Sequence, residues 1–206
     1  YMSDLSPINS STKSANGQSR KIRVLRIIAR MNIGGPAIQV TGLMRKLNPD
    51  IFEHQLITGY VSNNEADYLK ENNIDLSEIR IDGLGRSINL FLDLMAFFKL
   101  IKQVRKFKPD IIHTHTAKAG VLGRLSWIAL GYKPKLVHTF HGHLIYGYFA
   151  KYKSFAFTMV EKFLSLFTDV AVAITHETQS TLQKLGIGKR LDWQVIHLGI
   201  PVVQEN

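Results

Sequence analysis

The stretch that decides the fold is residues 110–143, which read DIIHTHTAKAGVLGRLSWIALGYKPKLVHTFHGH. Two β-branched, apolar runs, 110–115 and 135–141, flank a helical segment, 117–130. Because parallel strands end at one edge of a sheet, where α/β proteins bind ligands, imidazoles are expected there in two groups. The first group is His113 and His115, and the second, after His138, is His141 and His143.

The same alternation continues to both sides of this stretch. Further strands are predicted at 22–28, 54–60, 77–81, 169–174 and around 194–198, and further helices at 37–47, 65–73, 87–107, about 150–167 and about 176–185. Strands that alternate with helices, several of them apolar on both faces, predict an α/β fold. We expect a Rossmann-like, doubly wound parallel sheet with helices on both faces.

The helix predicted from Ser87 to Phe107 is strongly amphipathic. Its apolar side chains fall on one face, and three basic residues lie largely off that face. Pro109 marks its end, since proline cannot continue a helix. The apolar face consists of Phe91, Leu94, Met95, Phe98, Ile101 and Val104.

Composition limits the function classes. The 206 residues, 45% of them hydrophobic, suit one substantial domain, and the Ser/Asn-rich residues 1–19 predict a flexible tail. The chain has no cysteine, no apolar run long enough to span a bilayer and no signal pattern, so we expect a cytoplasmic protein. The net charge of +10 suggests a phosphate-rich partner: nucleic acid, an anionic membrane surface or a nucleotide-sugar.

Two glycines, Gly34 and Gly35, stand between the first strand and its helix. Adjacent glycines let a backbone approach a phosphate closely, and the helix amino terminus favours an anion there. A tight turn that binds nothing is about equally consistent with the motif alone. Pro36 suits the first turn of the helix that follows.

The histidines also raise the question of a metal. Two imidazole pairs could in principle hold zinc, but no carboxylate lies between Asp110 and His143 to orient such ligands, so no metal is expected. A hydrogen-bonded structural histidine is the alternative at each position. Gly120 and Gly123 are interpreted as allowing close helix–sheet packing.

Taken together, these motifs resemble the amino-terminal, acceptor-side domain of a GT-B-type glycosyltransferase of family 4. The resemblance is carried by NIGGP (32–36), PDIIHTHTAKAGVLGRL (109–125), VHTFHGH (137–143), AVAITHETQSTLQKLGI (171–187) and VIHLGIP (195–201), and it spans roughly residues 21–201. It implies transfer of a sugar from a nucleotide-sugar, with retention of configuration, in a cleft between two domains. Residues 20–198 are expected to form the first domain and 199–206 the start of a linker to a second, donor-binding domain that is absent from this sequence.

The resemblance also implies roles for individual residues. Gly34 and Gly35 are expected to form part of the diphosphate site, and His141 to be the catalytic residue that orients the donor sugar. His143 is the fallback, and His115 with Lys118 is expected to border the acceptor or a phosphate. The nucleotide-sugar is a co-substrate, and no cofactor is expected.

The partners expected beyond the donor are a glycan or lipid-linked acceptor of polysaccharide or glycolipid biosynthesis and the inner face of the cell membrane. Aromatic and lysine residues interleave over 144–157, which suits a lipid headgroup region as well as it suits packing on the sheet. The alternatives are a half of a UDP-sugar 2-epimerase, against which the scarcity of carboxylates near the histidines speaks, and a basic membrane- or anion-binding module. Nucleic acid ranks last, because no reading helix or RNA-binding motif is present.

Overall fold

The computed structural model describes residues 20–85, 87–131, 134–142 and 151–199, with the backbone alone for 151–154. Seven parallel strands form one sheet in the order β3-β2-β1-β4-β5-β6-β7. The predicted α/β, Rossmann-like class is therefore confirmed. The chain reverses its direction across the sheet between β3 and β4, so the carboxyl ends of β1 and β4 meet at the centre of the edge where such sheets bind ligands.

Strands and helices alternate along the described chain. The strands are β1 (Ile22–Arg30), β2 (Phe52–Gly59), β3 (Ile79–Arg80), β4 (Ile111–His115), β5 (Lys135–Phe140), β6 (Val170–Ala173) and β7 (Asp192–Val195). The helices are α1 (Gly35–Lys46), α2 (Tyr68–Glu71), α3 (Leu90–Phe107), α4 (Ala117–Leu130), α5 (Lys151–Ser165) and α6 (His176–Lys184).

Successive side chains of β1 enter two separate cores, one on each face of the sheet. Leu25 and Ile27 pack with α3 and α4, whereas Ile28 packs with α1 and the short helix α2. Successive side chains of a strand point to opposite faces of the sheet. Because crossovers between parallel strands are right-handed, the helices lie on one face where the chain moves across the sheet in one direction and on the other face where it moves in the opposite direction. β1 is therefore buried on both faces.

Helix α4 lies unusually close to the sheet. A Cβ on Gly120 would stand 2.5 Å from Cε1 of His138, and one on Gly123 would stand 2.7 Å from Cγ2 of Thr114. The interpretation of these two glycines as packing residues is confirmed. Next to them, the fully buried Arg124 makes an ion pair with both oxygens of Glu161 at 2.7 and 2.8 Å, which joins α4 to α5.

The apolar face predicted for α3 differs from the face that it buries. The residues that enter the core are Ala96, Leu100, Val104 and Phe107, spaced four, four and three apart. Phe91 and Phe98, assigned by periodicity to the same face as Val104, are largely exposed. The helix is apolar over more of its circumference than the sheet covers, so periodicity alone could not choose the buried stripe.

Smaller differences concern the ends of elements. α3 begins at Leu90 because the side chain of Asn89 caps Phe91 and Leu92, and it ends at Phe107, followed by Lys108 in the left-handed conformation (φ 49°) before Pro109. β7 spans 192–195, about two residues earlier than predicted. The predicted tail 1–19, His143, residues 144–150 of the aromatic segment 144–157, and residues 200–206 lie outside the described residues. Within the described part of the chain, no helix is long and apolar enough to cross a membrane.

Candidate active site

The predicted histidines meet at the carboxyl edge of β4 and β5. His113 and His115 project from the same face of β4, with ring centroids 4.1 Å apart. His141 follows β5 directly, and its Nε2 lies 3.2 Å from Nδ1 of His115. The two strand exits are therefore joined by an imidazole–imidazole hydrogen bond.

A buried arginine underlies this group. Arg26, in the middle of β1, is 3% exposed, and its Nη1 lies 2.8 Å from Nδ1 of His113. Because a guanidinium only donates, Nδ1 of His113 accepts, and the proton of the neutral ring is on Nε2. That nitrogen lies 2.7 Å from Oγ1 of Thr139 and donates to it. Arg26 thus fixes the tautomer and the orientation of His113.

The histidines of the site are held in the uncharged form. Burial lowers the pKa of His141 to about 4. Burial, followed by the positive charge of Arg26, holds the pKa of His113 well below its ordinary value, and burial with the neighbouring histidines does the same for the pKa of His115. Burial also lowers the pKa of Arg26 to about 10, and no carboxylate in the described ranges pairs with this arginine. At neutral pH the site therefore presents neutral imidazoles above one buried cation.

The bond between His115 and His141 leaves two ring nitrogens without a partner in the described part of the chain, Nε2 of His115 and Nδ1 of His141. In a pair of neutral imidazoles one ring donates to the other. If His115 donates, its outer nitrogen is bare and that of His141 carries a proton; if His141 donates, the roles reverse. Either way the pair leaves one hydrogen-bond donor and one acceptor unsatisfied, both buried at this edge of the sheet.

The backbone is strained at the same edge. Thr116, directly after His115, has φ 65°, which is an outlier for a β-branched residue and costs on the order of 1–3 kcal/mol. The N–H of Ala29 donates to its Oγ1 at 3.2 Å, so β1 holds Thr116 in this conformation. This conformation of Thr116 turns the chain sharply from β4 into α4, beside the histidines.

The glycine turn is at the neighbouring strand end. Gly34 precedes α1, whose first turn has no side-chain cap and no acidic residue, so its free N–H groups and the helix dipole favour an anion. Gly34 has extended backbone (φ 160°), and a Cβ there would meet only Cδ of Pro36, at 3.8 Å. Gly35 is covered by Leu198, whose Cδ1 would lie 2.8 Å from an added Cβ. The segment after β7 therefore crosses the edge as far as α1.

Lys118 is engaged elsewhere. Its Nζ makes an ion pair with Oδ1 of Asp93 at 2.6 Å and donates to the carbonyl of Ser87. These contacts tie the start of α4 to the start of α3. The structure therefore joins His115 to His141, whereas it joins Lys118 to α3; His143 lies outside the described residues.

Arg26 and His54 were missed by sequence reasoning. His54, on β2, stacks on Phe52 with ring centroids 5.9 Å apart, and burial together with the charge of Arg26 lowers its pKa to about 4. The available signal was an arginine inside an otherwise apolar run in a strand that is buried on both faces. In the described ranges, no group of three or more histidine, aspartate or glutamate side chains is arranged to hold a metal ion.

A family profile and an Escherichia coli protein match this sequence. The sequence profile of Glycosyltransferase Family 4 matches residues 33–204. An Escherichia coli protein, UDP-Gal:alpha-D-GlcNAc-diphosphoundecaprenol alpha-1,3-galactosyltransferase, is 35% identical over 102 residues, which are 50% of this chain and 24% of that protein. The match therefore covers about a quarter of the E. coli protein.

Solved structures share the fold at low sequence identity. HepE of Anabaena in complex with UDP and glucose has a TM-score of 0.61 at 18% identity over 87% of this chain and 45% of its own. Sucrose-phosphate synthase from Thermosynechococcus elongatus has a TM-score of 0.61 at 18% identity, over 85% of this chain and 48% of its own. UDP-GlcNAc 2-epimerase from Methanocaldococcus jannaschii has a TM-score of 0.58 at 15% identity, over 84% of this chain and 45% of its own. The chain spans less than half the length of each. From the profile match and the order of its motifs, the chain belongs to glycosyltransferase family 4 and has the fold of a GT-B amino-terminal domain.

Proposed function

We propose that this chain forms the acceptor-side half of a retaining glycosyltransferase, which transfers a sugar from a nucleotide-sugar to a glycan or lipid-linked acceptor in polysaccharide or glycolipid biosynthesis. A second domain supplies most of the donor contacts. The observation that carries the proposal is the neutral His115–His141 pair, which leaves one buried donor and one buried acceptor unsatisfied at the carboxyl edge of the sheet.

Two parts of this edge suit the two halves of the transition state. Glycosyl transfer passes through a cationic, oxocarbenium-like sugar while negative charge collects on the departing diphosphate. The free N–H groups at the start of α1 stabilise that diphosphate beside Gly34. His141 orients a sugar hydroxyl as a neutral ring, because a pKa of about 4 leaves it uncharged at neutral pH. His141 therefore positions the sugar and does not act as a general acid.

The donor and acceptor classes are proposed by analogy with the E. coli relative, whose name specifies UDP-galactose and a sugar linked to diphosphoundecaprenol. We propose a UDP-hexose donor and a polyprenyl-diphosphate-linked acceptor. Such an acceptor resides in a membrane, and the net charge of +10 favours peripheral binding to an anionic surface. A UDP-sugar 2-epimerase shares the fold, but the hydrogen bonds described here join Arg26, His113, Thr139, His115 and His141 without a carboxylate to act as an acid or base.

The test is His141→Ala in a complete enzyme that contains this chain. Turnover should fall about 100-fold, because an orienting hydrogen bond to the reacting sugar is lost. The free energy of unfolding should fall by only about 1 kcal/mol, since one hydrogen bond, to His115, is removed. The measurements are transfer of labelled sugar to a lipid-linked acceptor and urea denaturation.

Lys135→Ala is the control. Lys135 is an exposed residue at the first position of β5, the strand that His141 follows, so it lies at the opposite edge of the sheet from His141. It should retain full turnover. Unchanged turnover in a folded His141→Ala enzyme would exclude the role assigned to His141.

A further inference from the structure

Helix α3 carries an exposed apolar surface that the fold does not use. Leu90 is 87% exposed, Phe91 70% and Phe98 60%, and Leu94 and Met95 are exposed beside them. These five residues are called the α3 apolar surface. They recur three and four apart along the amino-terminal half of the helix, so they form a continuous stripe. A stripe of large apolar side chains in water marks a contact with another molecule or with a membrane.

The α3 apolar surface is held rigidly. Oδ1 of Asp93 pairs with Lys118 at 2.6 Å, and Ala96 and Leu100, on the opposite side of the helix, are fully buried in the core. The turn before the helix also packs tightly, because a Cβ on Gly83 would lie 2.3 Å from the carbonyl oxygen of Leu92. The stripe is therefore a fixed feature of the folded domain.

The α3 apolar surface also lies near the candidate active site. α3 returns the chain to the start of β4, so its amino-terminal half lies toward the carboxyl edge of the sheet. Lys118, its ion-pair partner, is three residues after His115. A molecule docked on this stripe would lie beside the edge that carries His115 and His141.

The charges on α3 favour an anionic partner. Four basic residues, Lys99, Lys102, Arg105 and Lys106, occupy the second half of the helix, and Lys99 makes an ion pair with Asp82 at 3.7 Å. The single acid of the helix, Asp93, is paired with Lys118. An apolar stripe with adjoining cations matches the interface of an anionic bilayer, where apolar side chains enter the acyl region and cations meet phosphates. A second copy of this chain is disfavoured as the occupant, since two copies would bring the same cations together.

We propose that the α3 apolar surface docks on an anionic lipid bilayer and holds the carboxyl edge of the sheet against the membrane that contains the acceptor. This inference rests on the proposed function for its choice of acceptor. It assigns the contact to α3, a helix distinct from the aromatic segment 144–157.

The test is flotation of the 206-residue chain on sucrose gradients with phosphatidylcholine vesicles containing about a quarter phosphatidylglycerol, at low salt. The wild-type chain should float, and Phe91→Ser/Phe98→Ser should lower its partition coefficient about tenfold by removing two rings from the acyl region. Leu166→Ser is the matched control: Leu166 is 75% exposed but lies after α5, at the opposite edge of the sheet. It should float like the wild type. Circular dichroism checks that all three proteins are folded.

Three outcomes would overturn the proposal. They are equal flotation of the double variant and the wild type, absence of wild-type flotation, and a wild-type dimer in sedimentation that the double variant loses. Equal binding to vesicles of pure phosphatidylcholine would remove the anionic part of the claim. Flotation uses no sugar, so it is independent of transfer. A folded complete enzyme that floats but transfers no sugar would contradict the proposed function alone, and one that transfers to a water-soluble acceptor without floating would contradict the docking alone.

Discussion

At the scale of single residues, the site is controlled by burial and by one arginine. Arg26 donates to His113, His113 donates to Thr139, and the neighbouring His115 bonds His141. His115 and His141 were predicted from their positions after two strands, because strand exits can be recognised in sequence. Arg26 could be recognised in sequence only as an arginine inside an apolar run. Its bond to His113 could not be predicted, since it depends on β1 lying beside β4 in the sheet.

The open space beside Gly34 leads to a prediction about the donor. Gly34→Ala fits the backbone, and its methyl group would contact only Pro36, so the free energy of unfolding should change by less than about 0.5 kcal/mol. The methyl group would occupy the space in front of the α1 N–H groups and should raise KM for the nucleotide-sugar about tenfold. Steady-state kinetics of the complete enzyme measure this.

Gly42→Ala serves as its control. A Cβ on Gly42 would have no neighbour within 4 Å, and the residue lies inside α1. This change should stabilise the protein by about 0.5–1 kcal/mol through helix propensity and leave KM unchanged. An unchanged KM in Gly34→Ala would show that the glycine turn does not bind the diphosphate.

His54 leads to a prediction about acid stability. In the unfolded chain it titrates near pH 6.5, and in the folded protein burial, followed by the charge of Arg26, lowers its pKa to about 4. Above pH 6.5 both states are neutral. As the pH falls from about 6.5 toward 4, the unfolded chain binds a proton that the folded protein does not, so the free energy of unfolding decreases.

His54→Phe removes this proton uptake and retains a ring that can stack on Phe52. Relative to the wild type, it should gain about 1 kcal/mol more stability at about pH 5.5 than at about pH 7.5. Urea denaturation at the two pH values provides the comparison. An identical loss on acidification in both proteins would show that His54 is not the source.

At the scale of elements, the type of each helix and strand was predicted, while the apolar face assigned to α3 is not the face that the helix buries. Periodicity finds an apolar stripe, but the choice between two apolar stripes depends on which one meets the sheet. The close approach of α4 was predicted correctly, because Gly120 and Gly123 have few other uses in a helix. The Arg124–Glu161 pair joins elements that are 37 residues apart and has no local signal.

That buried pair provides a stability prediction. Glu161→Gln leaves the fully buried Arg124 without its counter-charge and should lower the free energy of unfolding by about 3–5 kcal/mol. The double change Arg124→Met/Glu161→Leu removes both charges and should recover most of that loss. Urea denaturation of the two variants and the wild type measures these differences. If the loss came from packing and not from the buried charge, the double variant would be at least as unstable as the single one.

At the scale of the whole molecule, the alternation of strands and helices was enough to predict a parallel sheet, because parallel neighbours require helical crossovers. The order of the strands was not predicted. It explains why residues as distant in sequence as Arg26, His115 and His141 share one site. Family membership then accounts for the ordered motifs along residues 33–204.

The central position of β1 has a consequence for synthesis of the chain on the ribosome. β1 pairs with β2 soon after both emerge, but its other edge waits for β4, whose paired residues come 87 positions later. Until then the nascent chain exposes an unpaired, strongly apolar strand edge, which is the kind of edge that recruits other chains. The nascent chain can therefore close its sheet around β1 only after β4 has emerged from the ribosome.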